Sequence, residues 1–134
     1  MINIVEREQR ISALLEDRRE APKYLAWLMV KTPGRIILLD VNNINWIKAE
    51  GNYVQVHNGQ KSFLIRETIS NLEARLDPKA FLRIHRSTIV RINQIKELQP
   101  SFHGDYRVIL HSGTRLTLSR NYRGSLLRLF GQTL

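Results

Sequence analysis

His85, Arg86 and Ser87 stand in a row inside an otherwise apolar run, with Phe81, Leu82 and Ile84 before them and Ile89 and Val90 after. A buried strand does not normally carry such a triplet, because each polar group taken from water without a partner costs roughly 2–7 kcal/mol. Either the chain turns there and hands the three groups to water, or the triplet has a ligand. A similar set, Ser119-Arg120-Asn121-Tyr122-Arg123, follows another strand-like run. Arginine, lysine, serine, asparagine and backbone N–H groups are what set a protein's register on a phosphate backbone. Arginine is also the commonest reader of guanine. Both sets lie where the chain would leave a sheet as a loop, and loops on a rigid scaffold are where contacts concentrate.

Catalytic and metal-binding chemistry finds little support. The four histidines, His57, His85, His103 and His111, form no HxH or HxxxH pair, and there is no cysteine. A zinc site normally shows such spacing. Glu50, Glu67 and Glu97 are scattered, and "SGT" and "HGD" are turns rather than a glycine-rich loop opening a helix. Ser87 beside His85 is not a catalytic pair merely by being close in sequence, since triads are assembled in space. The sequence is therefore expected to be no enzyme and to bind no metal or cofactor.

The charge points the same way as the two polar sets. Residues 1–20 carry four bases and five acids; residues 21–134 carry 17 bases and seven acids, a net of +10 in a chain of formal charge +9. Bases concentrated on one domain are the footprint of a polyanion binder. The longest apolar run, "YLAWLMV" at 24–30, falls far short of the roughly 20 residues that span a bilayer. The N-terminus "MINIVEREQR" lacks a signal peptide's apolar core. With no cysteine to call for an oxidising compartment, a cytoplasmic location is expected.

The elements that must position these residues are mostly strands. Residues 4–20 place Ile4, Ile11, Leu14 and Leu15 on roughly one helical face, and Pro22 follows, so residues 1–22 read as a linker helix. The domain proper is expected at 23–134, mainly β. "YLAWLMVK" and "RIILLD" flank "TPG", a turn signal, and "VNNI" is a short break of about one helical turn. "NWIKAE" and "YVQVHN" flank "GN", and Asn58-Gly59 is expected to turn the chain into "KSFLIR". In "ETISNLEARLD" Ile69, Leu72 and Leu76 recur at helical spacing, Thr68 can cap the start and Pro78 lies beyond the end. "AFLRI", "QIKELQ", "DYRVILH" and "RLTLS" are strand-like, with Ser112-Gly113 turning the last pair. "RNYRGSLLRLF" predicts a C-terminal helix with Leu126, Leu127 and Phe130 or Leu129 inward.

Three segments, "WIKAEGNYVQVHNG", "FLIRETISNLEARLDPKAFLRIHRSTIVRINQIKEL" and "GDYRVILHSGTRLTLSRNYRGSL", closely resemble in order and spacing the LytTR DNA-binding domain, the output module of many bacterial two-component response regulators. The resemblance runs from about Leu28 to Leu129, and "RIHRSTIV" and the terminal "LSR" are its most specific elements. It implies elongated antiparallel β-sheets with small flanking helices. It also implies loops, rather than a recognition helix, docked into successive major grooves of bent double-stranded DNA. On the matching positions, Asn52 and Tyr53 fall at a groove-reading turn, and Arg86 and Ser87 are contacts. Arg120 matches the principal base-reading arginine and Asn121 a backbone contact. His85 either holds its turn by hydrogen bonding or meets a phosphate. With Ser87 and Asn121, Arg123 and Lys48 are expected to grip phosphates.

The chain departs from the family in one place: many members have asparagine where Arg91 stands, so Arg91 either needs an internal hydrogen-bond solution or adds charge near the DNA. Residues 1–20 cannot hold a receiver domain's acidic pocket and α/β unit, so the sequence is expected to be either a stand-alone member or, the favoured reading, a fragment reached by an upstream histidine kinase through a receiver absent from it. The expected assembly is a homodimer on paired sites, through the receiver or weakly through Ile4, Ile11 and Leu15. Two other classes compete. A single-strand binder would align aromatics on an open sheet face, and the aromatics here are dispersed. A basic protein-interaction or membrane-sensor module would bind acidic partners with no preference among DNA sequences.

Overall fold

The computed structural model describes residues 23–131; the linker helix expected at 4–20 and the domain boundary at 22/23 lie outside or at the edge of the described residues. Ten strands and two short helices follow in chain order: β1 (Trp27–Thr32), β2 (Arg35–Asp40), β3 (Trp46–Glu50), β4 (Tyr53–Asn58), β5 (Lys61–Ile65), α1 (Ile69–Arg75), β6 (Phe81–His85), β7 (Thr88–Arg91), β8 (Ile95–Pro100), β9 (Tyr106–Leu110), β10 (Arg115–Leu118) and α2 (Arg123–Phe130). They make a β1–β2 ribbon, a five-stranded sheet of order β5-β4-β3-β7-β6 and a three-stranded sheet of order β10-β9-β8, with every pairing antiparallel. The fold is thus mainly β with small helices.

Period-two alternation assigns each face of the five-stranded sheet to a separate core. Ile47, Val54, Val56 and Ile89 are at most 1% exposed and pack with the inner face of the ribbon (Leu28, Val30, Leu39) and with Ile69 and Leu72 of α1. Val90, with Ile84 at the register shift in β6, faces the other way and meets Val108, Leu110, Leu116, Leu118 and Leu126. Trp46 and Leu82 pack against this second cluster. The three-stranded sheet and α2 therefore sit on the side of the five-stranded sheet opposite the ribbon and α1. Each fully buried aliphatic side chain contributes about 1.5–3 kcal/mol, so both clusters hold the sheet's orientation.

The helix start at Thr68 is as expected: its side chain accepts from the Asn71 N–H at 3.2 Å. Pro33-Gly34 turns the ribbon, with Gly34 at φ +83°. Two details differ. The β4–β5 turn is Gly59-Gln60 rather than Asn58-Gly59: Asn58 pairs with Lys61, and Gly59, at φ +61°, takes the left-handed position alone. In α2 only Leu126 is buried, while Leu129 and Phe130 are 41% and 53% exposed. The helix starts late, after a 3-10 turn over Arg120–Tyr122, and although Leu129 and Phe130 share the face of Leu126 by helical spacing, that last turn runs past the residues that bury Leu126.

Candidate nucleic-acid interface

The His85-Arg86-Ser87 set is a turn. β6 ends at His85, β7 begins at Thr88, and these two residues pair directly, leaving Arg86 and Ser87 as the loop. Arg86 is exposed and Ser87 half-buried. The His85 imidazole closes the loop: its Nδ1 accepts from the Ser87 N–H at 3.1 Å and lies 2.9 Å from Ser87 Oγ. Accepting at Nδ1 leaves the proton of a neutral ring on Nε2. From the inner side, Arg83 clamps the loop's carbonyls. Its Nε donates to the His85 carbonyl at 3.0 Å and a terminal nitrogen donates to the Arg86 carbonyl. The same guanidinium donates to Glu73 of α1 at 2.9 Å and lies 6.0 Å from the Tyr122 ring centroid. One 11%-exposed side chain thus ties this loop to α1 and to the segment before α2.

Two more turns arrive at the same end of the five-stranded sheet. β3 and β4 pair from Lys48–Gln55 to Glu50–Tyr53, and Lys48 also faces Thr88 of β7. The Gly51-Asn52 turn therefore emerges beside Arg86-Ser87, and the Ala49 N–H donates to the Ser87 carbonyl at 2.8 Å. Gly51 sits at φ +63°, where a side chain would be strained. The exit of β10 is fastened to β6 by the Ser119 N–H donating to the Ile84 carbonyl at 2.9 Å. The Arg120 N–H donates to Asp105 Oδ1 at 2.9 Å, and its side chain passes over Gly104. Arg120 and Asn121 are exposed; Arg123 opens α2 half-buried.

All three loops singled out in the sequence thus come to one region. Between the sheets lies a groove of about 250 Å³, lined by Trp46, Lys48, His85 and Ser87 of the five-stranded sheet and its loop and by Arg115 and Thr117 of β10. Among the described residues, carboxylate pairs are found only for Arg75 and Arg83, so Lys48, Arg86, Arg115, Arg120 and Arg123 keep their charges available. Arg83, Asp105, Arg115 and Thr117 were not singled out from the sequence. Arg115 and Thr117 do alternate with buried Leu116 and Leu118, but nothing in that pattern says which loop they will face.

A family model for the LytTr DNA-binding domain matches residues 34–131. The chain belongs to the LytTR family. It is 32% identical over 94 residues to the sensory transduction protein LytT of Bacillus subtilis, covering 70% of this chain and 39% of that protein. To the transcriptional regulatory protein LytR of Staphylococcus aureus it is 33% identical over 95 residues, covering 71% of this chain and 39% of the relative. The matched part thus spans about two-fifths of these relatives' length. A solved LytTr DNA-binding domain from Bacillus cereus superposes with a TM-score of 0.72 at 23% identity, over 80% of this chain and 98% of that one. At that identity the likeness is one of fold. No helix among the described residues is long and apolar enough to cross a membrane.

Two side chains of this LytTR domain take positions of their own. Arg91 points inward and is 7% exposed. Its Nε donates to the Ile44 carbonyl at 2.7 Å, a terminal nitrogen donates to the Val41 carbonyl, and the guanidinium lies 4.5 Å from the Phe81 ring centroid. Arg91 is therefore an internal cap for the 3-10 turn at Val41–Asn43, away from the loops. Burial lowers its pKa, and the Asp40 carboxylate opposes that shift. His57 of β4 stacks on Trp46 with ring centroids 3.9 Å apart and planes 2° from parallel. Burial lowers its pKa, Lys48 adds to the effect and Glu50 opposes it.

Proposed function

We propose that this domain binds double-stranded DNA in a sequence-specific manner to regulate transcription, as the output part of a response regulator. The observation that carries this is the convergence of three loops, Gly51–Tyr53, His85–Ser87 and Arg120–Arg123, at one end of the sheet around basic side chains with no carboxylate partner among the described residues. Arg120 and Arg86 read bases in successive major grooves of a bent duplex, with Asn52 and Tyr53 entering from the first loop. Lys48, Ser87, Asn121 and Arg123 hold phosphates, and His85 sets the shape of its loop. Arg115 and Thr117 extend the phosphate-holding wall. Residues 1–22 serve as a linker to a receiver that an upstream histidine kinase phosphorylates in the cytoplasm, and two copies occupy paired sites. The action is binding, with no catalytic step.

The B. subtilis and S. aureus relatives, described as sensory transduction and transcriptional regulatory proteins, support this assignment. Selection from a random duplex library tests it. The expected result is a recovered motif bound at least roughly a hundredfold more tightly than scrambled DNA, a modest value for a specific reader. Salt-sensitive binding with no recovered motif would leave only a basic module that meets acidic partners without DNA sequence preference.

A further inference from the structure

Arg83 is a base with little surface: its side chain is 11% exposed and its donors are directed at four acceptors. Nε donates to the His85 carbonyl at 3.0 Å, and one terminal nitrogen donates to the Arg86 carbonyl. The other terminal nitrogen donates to Glu73 at 2.9 Å and to Ser70 Oγ at 3.4 Å, both on α1. A guanidinium carries five N–H donors in a fixed fork, so this one has little left to offer a phosphate.

The third loop is fastened to the same end of β6. The Ile84 carbonyl accepts from the Ser119 N–H at 2.9 Å, and the Arg83 guanidinium lies 6.0 Å from the Tyr122 ring centroid, at the outer reach of a cation–π contact. The Tyr122 N–H donates back to the Ser119 carbonyl at 2.9 Å and closes the turn that carries Arg120. Arg120 is thus held between two points, Ser119 and Tyr122, that meet neighbouring residues of one strand. The end of β6 fixes where Arg86 and Arg120 stand relative to each other. Reading bases needs such fixing, since a productive constellation is held to within about 0.5 Å. Phosphate contacts carry no sequence information and do not need it.

We infer that Arg83 is a positioning residue: without touching DNA, it holds the Arg86–Ser87 loop and the Arg120–Tyr122 turn at one mutual spacing, on which specific binding depends. This rests on the DNA-binding function proposed above and adds to it the residue that sets specificity from behind the loops. Lysine at this place keeps the charge but donates from a single point, so it cannot span both carbonyls and the Glu73 carboxylate as the fork does.

The test measures binding of the full chain, Arg83→Lys and Glu73→Ala to the selected duplex and to scrambled DNA over a salt series, with amide NMR spectra of the free chains alongside. In Arg83→Lys the affinity for the selected duplex is expected to fall roughly tenfold, about the loss of one base contact. Binding to scrambled DNA and its salt slope stay as they were. Glu73→Ala leaves the loop carbonyls their donor but removes its anchor on α1, and gives a smaller loss of the same kind. It takes over should circular dichroism show Arg83→Lys unfolded. In the free variants the amides of Arg120–Tyr122 shift together with those of His85–Ser87. Full affinity of Arg83→Lys for the selected duplex would overturn the inference, because a charge held by a phosphate is what lysine replaces. An equal loss on both duplexes would overturn it too. If the wild-type chain selects no motif, the DNA-binding function fails instead and the amide spectra decide alone. Shifts confined to β6 and its own loop would then sink the inference, and shifts that reach Arg120–Tyr122 would uphold it.

Discussion

Arg86, Arg120 and Arg91 are three arginines put to two different uses. Arg86 and Arg120 sit on loops with no carboxylate partner among the described residues, whereas Arg91 is spent on two internal carbonyls. Arg120→Ala is expected to cost about 1–3 kcal/mol of specific binding and to relax the preference at one base pair. Binding to point variants of the selected site would show this. Lys48→Ala should instead weaken all duplexes alike and reduce the salt slope by about 1. Arg91→Met removes the donor to both carbonyls; the Val41 carbonyl keeps the Ile44 N–H, while the Ile44 carbonyl loses its partner in a site closed to water. It is expected to lose about 1–3 kcal/mol in urea unfolding, with DNA affinity unchanged while the chain is folded. At this scale the sequence spoke unevenly. His85-Arg86-Ser87 stood out because polar groups cannot sit unpartnered in an apolar run. Arg83, an isolated base in a strand, reads as a solvated face, and only the folded chain shows it gripping two loop carbonyls. The direction of Arg91 was equally open, since it depends on carbonyls about fifty residues earlier in the chain.

The strands declared themselves through alternation, and the turns through glycine. Thr68 announced the α1 start because a hydroxyl there can accept from a backbone N–H of the first turn; Thr68→Ala should cost about 1 kcal/mol in thermal or urea unfolding. The β4–β5 turn was read one residue early. Both Asn58-Gly59 and Gly59-Gln60 place glycine where positive φ is needed, and cross-strand packing of Val56 on Phe63 decides between them. The stacked Trp46–His57 pair makes a pH dependence at the β3–β4 junction. The folded ring has a lowered pKa, so as pH falls through the ordinary value of 6.5 the unfolded chain takes up the proton first. Stability from this group is present above that value and lost as pH drops toward the folded pKa. Melting temperatures at about pH 7.5 and about pH 5.5 should therefore differ less in His57→Phe, which keeps the stacking but cannot titrate.

For the whole molecule, the excess of bases over residues 21–134 and the meeting of three loops are two aspects of one design. Charge and loop composition could be read along the chain, but their convergence could not. It depends on β3, β7 and β6 lying side by side and on the Ser119–Ile84 hydrogen bond bringing a second sheet alongside. For the same reason Arg115 and Thr117 join the groove unannounced. If about five phosphates are neutralised, log K should fall against log salt with a slope near −4.5. The most direct test of the central claim is a titration of the isotope-labelled chain with the selected duplex, followed by amide NMR. Shifts concentrated at Gly51–Tyr53, His85–Thr88 and Ser119–Arg123 are the predicted result. Shifts that leave these three loops untouched and gather on another surface would contradict it.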